Sequence, residues 1–220
     1  TTNAAGPTLL ADLPNALSLT LPQLNRAMEA GARIIDTRSP GAFGSAFLPG
    51  AVNIGASANA ASWLGLVCQP DEPIVLFSDS PEQATSCIRQ FLRVGFDRVL
   101  GYFDKGIEGW ASMGKPLDHL PQLSAPNFQR VLEKYPGHVS LDVRTDTEWD
   151  GGHMDRALHC PLQEMAVTLP SLDPAAHITV ICRSGYRANI AGSMLKANGF
   201  RHVYSLLGGM TAWDNLTRNE

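Results

Sequence analysis

No run of apolar residues in this sequence approaches the roughly 20 that a membrane-spanning helix needs, so a helical membrane span is excluded. Basic residues are in the minority: 17 Lys and Arg stand against 21 Asp and Glu, a net charge of -4. That balance argues against a nucleic acid or an anionic membrane as the main partner. Cysteine is sparse. Cys68, Cys87, Cys160 and Cys182 are far apart and form no Cys-x-x-Cys pair. A chain of 220 residues needs no disulfide staples, so reduced thiols and a cytoplasmic setting are expected. The start, Thr1-Thr2-Asn3, has neither an initiator Met nor a signal-peptide pattern, and a processed or cut-down chain is expected. What the sequence does have is 44% hydrophobic and only 17% charged residues, enough apolar material for a packed core.

An internal repeat organises the chain. Ile34-Ile35-Asp36-Thr37-Arg38 is echoed by Ser140-Leu141-Asp142-Val143-Arg144, and the same offset carries Phe43 onto Trp149 and Ala51-Val52 onto Ala157-Leu158. Gly95-Phe96 returns as Gly199-Phe200, and the segment from Lys105 to Trp110 returns as Gly208 to Trp213. Three anchors in one order, with small drifts in offset, mean two copies of one domain of a common size. The expected boundaries are 1–116 and 117–220. Lys115 to Pro126 holds three prolines and no periodicity, which reads as the linker. Thr1 to Pro14 reads as a loop lying along the first copy.

Each copy alternates strand and helix. In the second, Val139 to Val143 and the β-branched run Ile178-Thr179-Val180-Ile181 read as buried parallel strands. Arg187 to Asn198 has apolar residues at helical spacing (Ile190, Met194, Leu195), Gly199 closes that helix, and His202 to Leu206 is the next strand. In the first, Ile74 to Phe77 is the matching strand and Ala84 to Val94 the matching helix. The expected fold is α/β: two tandem domains, each a parallel sheet flanked by helices.

Ligands in open α/β sheets lie beyond the carboxyl ends of the strands. In the second copy that place is taken by Cys182-Arg183-Ser184-Gly185-Tyr186-Arg187, a tight loop between strand and helix. Backbone N–H groups in such a loop converge as an anion nest, and the helix N-terminus adds partial positive charge. Gly185 permits the turn, and Arg183 and Arg187 add two full charges. Such a field favours a thiolate at Cys182 and makes it the candidate nucleophile. Tyr186 is placed at the mouth of the site.

This loop resembles the active-site loop of rhodanese-type sulfurtransferases. Leu141-Asp142-Val143-Arg144, Glu148-Trp149, Gly152-His153 and the Gly208-Gly209 to Trp213 ending are similar to the same family. The resemblance covers both copies, so nearly the whole chain resembles a tandem rhodanese. Gly6-Pro7 to Leu10 and Leu120 to Ser124 further resemble bacterial proteins that join a metallo-β-lactamase-fold domain to rhodanese domains, which implies such a domain upstream of this chain. The metal-binding His/Asp motif of that fold is absent here.

The resemblance implies catalysis by Cys182. It takes the outer sulfur of thiosulfate or a low-molecular-weight persulfide and passes it to cyanide or a thiol. Arg183, Ser184, Gly185, Tyr186 and Arg187 would bind a small anionic sulfur donor. The first copy departs from this pattern. Ser78 stands at the cysteine position, followed by Asp79-Ser80-Pro81-Glu82-Gln83, so the thiol is missing and two carboxylates repel anions. That copy is expected to be inactive, a packing partner or docking surface.

Cys160 and Cys87 align with Ile54 and Ala191 and read as buried packing. His153 and His159 have no carboxylate or second cysteine at ligand spacing, so neither a metal nor a cofactor is expected. Asp142–Arg144 recurs in the inactive copy as Asp36–Arg38, which points to a structural ion pair. Two rival functions stay open: a cysteine phosphatase or arsenate reductase on the same scaffold, and a non-catalytic sulfur-binding module. The phosphatase pattern places five residues between cysteine and arginine, whereas four separate Cys182 from Arg187.

Overall fold

The computed structural model describes residues 17–218, so the segment Thr1 to Pro14 lies outside the described residues. The first repeat runs β1 (Ser18–Leu19), α1 (Leu21–Glu29), β2 (Arg33–Asp36), α2 (Pro40–Ser45), β3 (Val52–Asn53), α3 (Ala60–Val67), β4 (Ile74–Phe77), α4 (Pro81–Arg93), β5 (Val99–Phe103) and α5 (Gly106–Ser112). The second runs β6 (Gln122–Leu123), α6 (Ala125–Lys134), β7 (Val139–Asp142), α7 (Asp146–Asp150), β8 (Leu158–His159), α8 (Leu162–Val167), β9 (His177–Ile181), α9 (Tyr186–Ala197), β10 (His202–Leu206) and α10 (Gly209–Thr217). Each repeat forms a five-stranded sheet, in the order β1-β5-β4-β2-β3 and β6-β10-β9-β7-β8. Every pairing within them is parallel. The two tandem α/β domains are therefore as the alternating pattern anticipates.

The central strands explain themselves. Ile74-Val75-Leu76-Phe77 in β4 and Ile178 to Ile181 in β9 are buried throughout, as strands covered by helices on both faces must be. Helix α4 buries one stripe, Ala84, Cys87, Ile88 and Phe91, and leaves its polar face outward. Its counterpart α9 differs: Ala188 to Ser193 are all buried, together with Leu195. Helix α9 is covered on one side by its own sheet and on the other by the first domain. Its small residues permit the close approach, and a Cβ at Gly192 would stand 2.9 Å from Leu120 Cδ2.

The junction between domains is polar at its centre. Ser193 Oγ accepts from Asn53 N at 3.0 Å, and Asn189 Nδ2 donates to Asn53 Oδ1 at 2.9 Å. Asn53 Nδ2 donates in turn to the carbonyls of Asp36 and Arg38. Lys196 Nζ meets Asp118 at 2.8 Å. Asp118 belongs to the segment read as a linker, and that reading needs correction. Asp118 pairs with Phe47 in an antiparallel bridge, Leu120 is fully buried, and Gln122–Leu123 is the edge strand of the second sheet. Three prolines mask these contacts in the sequence, because proline suppresses periodicity without preventing an edge strand. Among the described residues no helix is long and apolar enough to cross a membrane.

Candidate active site

The site is assembled where β7 and β9 end. Strand β9 delivers Cys182, which is buried, and the loop turns at Gly185, whose φ of 100° is in the left-handed region. Gly185 N–H donates to Cys182 Sγ at 3.1 Å, so the loop backbone already points a dipole at the sulfur. The loop is braced from behind by the start of α10. Met210 N–H donates to the Cys182 carbonyl at 2.8 Å, and the Thr211 N–H and hydroxyl both donate to the Arg183 carbonyl, at 3.1 and 3.0 Å. The Cys182 and Arg183 carbonyls thus face α10, while the Gly185 N–H faces the sulfur. Gly208 and Gly209 make this approach feasible. Both have positive φ, and a Cβ on Gly209 would overlap the Cys182 carbonyl oxygen and stand 2.7 Å from the Arg183 carbonyl oxygen.

The two arginines of the loop have different fates. Arg183 is exposed and lines a cleft of about 780 Å³ with Arg144, Glu148, His153, Thr211 and Trp213. Arg187 is engaged by a carboxylate, which corrects its reading as a donor-orienting group. Its guanidinium makes a bidentate pair with Glu148, Nη1 to Oε2 at 2.6 Å and Nη2 to Oε1 at 2.7 Å. Glu148 comes from α7, where Thr145 and Glu148 form a capping box. The Thr145-Asp146-Thr147-Glu148 spacing could have disclosed this partner, since a capped helix start after β7 falls beside the loop. The Glu148 hydrogen bonds raise the Arg187 guanidinium above its ordinary value, against the opposing effect of its burial.

Glu148 is held down to about 2 from an ordinary 4.5, first by the Arg187 hydrogen bonds and further by Thr145. A carboxylate depressed on folding contributes stability that is complete above about 4.5 and is lost as pH falls towards 2. Urea unfolding from pH 7 to 2 should therefore show a loss of up to roughly 3 kcal/mol across that window. Glu148→Gln should be less stable at neutral pH and should lack that acid-dependent loss. A variant curve parallel to wild type would show that the pair does not contribute.

Tyr186 is also displaced from its expected place at the mouth. Its hydroxyl donates to the Gly55 carbonyl of the first domain at 2.6 Å and lies 3.4 Å from Ser57 Oγ. Burial raises the phenol above its ordinary value. Ser184 is exposed on the loop. Asp142 and Arg144 form a buried ion pair, 2.7 Å from Nη2 to Oδ2, and Arg144 also donates to the Gly152 carbonyl. Asp36 and Arg38 repeat the pair at 2.6 Å, and Arg38 likewise donates to a backbone carbonyl, that of Ala46. It is a brace common to both domains.

The first loop is built otherwise. Ser78 is buried with its hydroxyl 2.6 Å from that of Thr37, and the Gln83 side chain, at the position of Arg187, accepts from Asp79 N–H at 2.8 Å. The loop thus spends a backbone donor on its own side chain. Glu82, fully exposed, is held below its ordinary value by its own N–H and then by Ser80, so it bears negative charge at neutral pH.

The remaining thiols are free. Burial pushes Cys68 up to about 12 and Cys87 to about 11, as inert packing thiols. Cys160 is only half-buried, unlike Ile54 at the matching position, and burial followed by the nearby Glu164 raises it too. His153 and His159 stack on either side of Trp149, with ring centroids 3.7 and 4.4 Å away. Among the described residues no group of three or more His, Cys, Asp or Glu could hold a metal ion.

The model of the rhodanese-like domain matches twice, over residues 20–113 and 124–216, and the chain belongs to that family. A putative sulfur carrier protein, YrkF, of Bacillus subtilis (strain 168) is 30% identical over 98 residues, 44% of this chain and 53% of that protein. A thiosulfate sulfurtransferase, GlpE, of Vibrio cholerae is 27% identical over 97 residues, 44% of this chain and 91% of that protein. A tRNA uridine(34) hydroxylase of Erwinia tasmaniensis is 30% identical over 104 residues, but only 29% of its length is covered. The chain thus spans about half or less of the Bacillus and Erwinia relatives. Among solved structures, a rhodanese-like domain from Anabaena is 30% identical with a TM-score of 0.41, covering 44% of this chain and 74% of that one. A thiosulfate sulfurtransferase from Pseudomonas aeruginosa is 21% identical with a TM-score of 0.40, covering 91% of this chain and 43% of that one.

Proposed function

We propose that this protein is a sulfurtransferase that moves a sulfane sulfur from thiosulfate or a low-molecular-weight persulfide to a thiol or cyanide through a persulfide on Cys182. The observation that carries this reading is the loop itself: a single cysteine beneath a backbone N–H, braced by α10, with the exposed Arg183 at its edge. The Cys182 thiolate attacks the outer sulfur of thiosulfate. A bond forms between the two sulfurs, the S–S bond of thiosulfate breaks, and sulfite leaves with the electron pair. The acceptor then attacks the outer sulfur of Cys182–S–S⁻, and the thiolate is regenerated. No external oxidant or reductant enters this cycle. Arg183 draws the anionic donor, while Arg187, neutralised by Glu148, fixes the far end of the loop. The first domain takes no part in the chemistry, since a serine cannot carry a persulfide. A reducing, cytoplasmic setting suits four free cysteines. The likeness to metallo-β-lactamase fusions rests on sequence alone, and the comparisons above carry only the rhodanese-like domains.

The covalent intermediate is the test. Incubated with excess thiosulfate and no acceptor, the protein should gain the mass of one sulfur atom, located on Cys182 by peptide mapping and lost on adding cyanide. Oxidation to a sulfenic acid would add oxygen instead, so mass separates the two. An unchanged mass with every sulfane donor, and a phosphocysteine formed from an aryl phosphate, would favour the phosphatase alternative.

A further inference from the structure

Tyr186 is the first residue of α9 and follows Gly185, whose N–H meets the Cys182 sulfur. The bonds of Cys182, Arg183 and Arg187 described above lie within the second domain, whereas Tyr186 reaches into the first. Its hydroxyl is bonded to the Gly55 carbonyl at 2.6 Å, and its ring stands 6.2 Å from that of Trp63 on α3. Gly55 is fitted to it: a Cβ there would lie 3.3 Å from Tyr186 Cε2 and 3.3 Å from the Arg38 carbonyl oxygen. That carbonyl is also bound by Asn53, which is itself tied to Asn189 and Ser193 of α9. One end of the catalytic loop is thus pinned by α10 and the other by the first domain.

We infer that Tyr186 is a positioning residue through which the inactive first domain holds the Cys182 loop in its working shape. The first domain then acts as part of the active-site scaffold. On that side the Tyr186 hydroxyl bond acts beside the Arg187–Glu148 pair, and it is the one that reaches the first domain from the loop's own end. Losing the phenol hydroxyl leaves the Gly55 carbonyl without this donor and lets the start of α9 shift. Because the Gly185 N–H precedes Tyr186 directly, such a shift moves the dipole aimed at the sulfur. Small displacements of this kind change rates without changing substrate contacts.

The test is a double-mutant cycle in the full chain with Tyr186→Phe and Gly55→Ala. Gly55 does not line the cleft beside Arg183, and an alanine there keeps the accepting carbonyl but crowds the Tyr186 ring, so its variant perturbs the same contact from the first domain's side. Each single variant should lower kcat for thiosulfate-dependent sulfur transfer by about tenfold, the order of one hydrogen bond, with KM little changed. Each should also slow alkylation of Cys182 by iodoacetamide at pH 7, while the unfolded proteins react alike. The double variant should be no slower than the slower single one. The kinetic arm rests on the sulfur-transfer reading, but the alkylation arm does not. If wild type transfers no sulfur yet the variants change alkylation, the proposed reaction fails and the positioning role stands. Wild-type alkylation rates in both variants, or a lower melting temperature with unchanged kcat, would overturn the inference.

Discussion

Cys182→Ser should abolish sulfur transfer, by three orders of magnitude or more, and leave the melting temperature within a few degrees of wild type. The size of the effect follows from the chemistry: without the covalent nucleophile neither half-reaction has a route, and the loss is on the order of that seen when other enzymes lose theirs. The small effect on stability follows from packing. Serine is close to cysteine in shape, its hydroxyl can accept the Gly185 N–H that now meets the sulfur, and Ser78 occupies the same position in the first domain at a similar burial. Sulfite release and thermal melting, measured on the same preparation, check both halves. Retained turnover would remove Cys182 from the mechanism. Burial holds Cys68 and Cys87 well above the range in which a thiolate forms at neutral pH, and burial followed by Glu164 raises Cys160 as well, so none of the three is activated to replace it.

Gly209→Ala should be less damaging to activity than loss of the nucleophile but much more damaging to the fold. Its φ is 56°, and the new methyl group would run into the Cys182 carbonyl oxygen and the Arg183 carbonyl. The cost combines a left-handed non-glycine residue with overpacking against backbone, about 2–5 kcal/mol. The helix start would have to retreat from the loop, weakening the bonds from Met210 and Thr211 that turn the loop carbonyls away from the sulfur. Activity of the folded fraction should fall by about a hundredfold. Gly106 provides the control. It holds the matching place in the first domain with φ 60°, but nothing lies within 4 Å of a Cβ there. Gly106→Ala should therefore cost only about 1–2 kcal/mol and leave kcat unchanged. Equal losses in the two variants would mean that backbone strain alone, and not the seat of α10 against the loop, is responsible.

The control works because the two domains share a pattern but not a site, and much of that was legible in the residues. The offset joining Asp36 and Arg38 to Asp142 and Arg144 announces duplication, and the ion pairs explain why those residues recur: each closes the same turn after the same strand. Ser78 opposite Cys182 marks one loop as unfit to carry sulfur. The filling of that loop by Gln83 was not legible, since glutamine at a helix start has no unique partner in sequence. Arg187 misled for a related reason. Beside a cysteine it reads as a free charge, but its partner Glu148 is brought in by a different strand.

What the sequence alone determined is the local and repetitive part: apolar strands of period and length fit for a buried parallel sheet, the duplicated order of elements, the cysteine loop and its glycine. These depend on residues near one another along the chain, where backbone sterics and periodicity act directly. The tertiary structure decided which groups meet across distance. It gave Glu148 to Arg187, set Gly209 against the Cys182 carbonyl, turned Tyr186 into the first domain and buried Leu120 beneath Gly192. Such choices follow from how strand ends and helix starts converge in space, and a hydrogen-bonding side chain has many eligible partners until packing removes all but one.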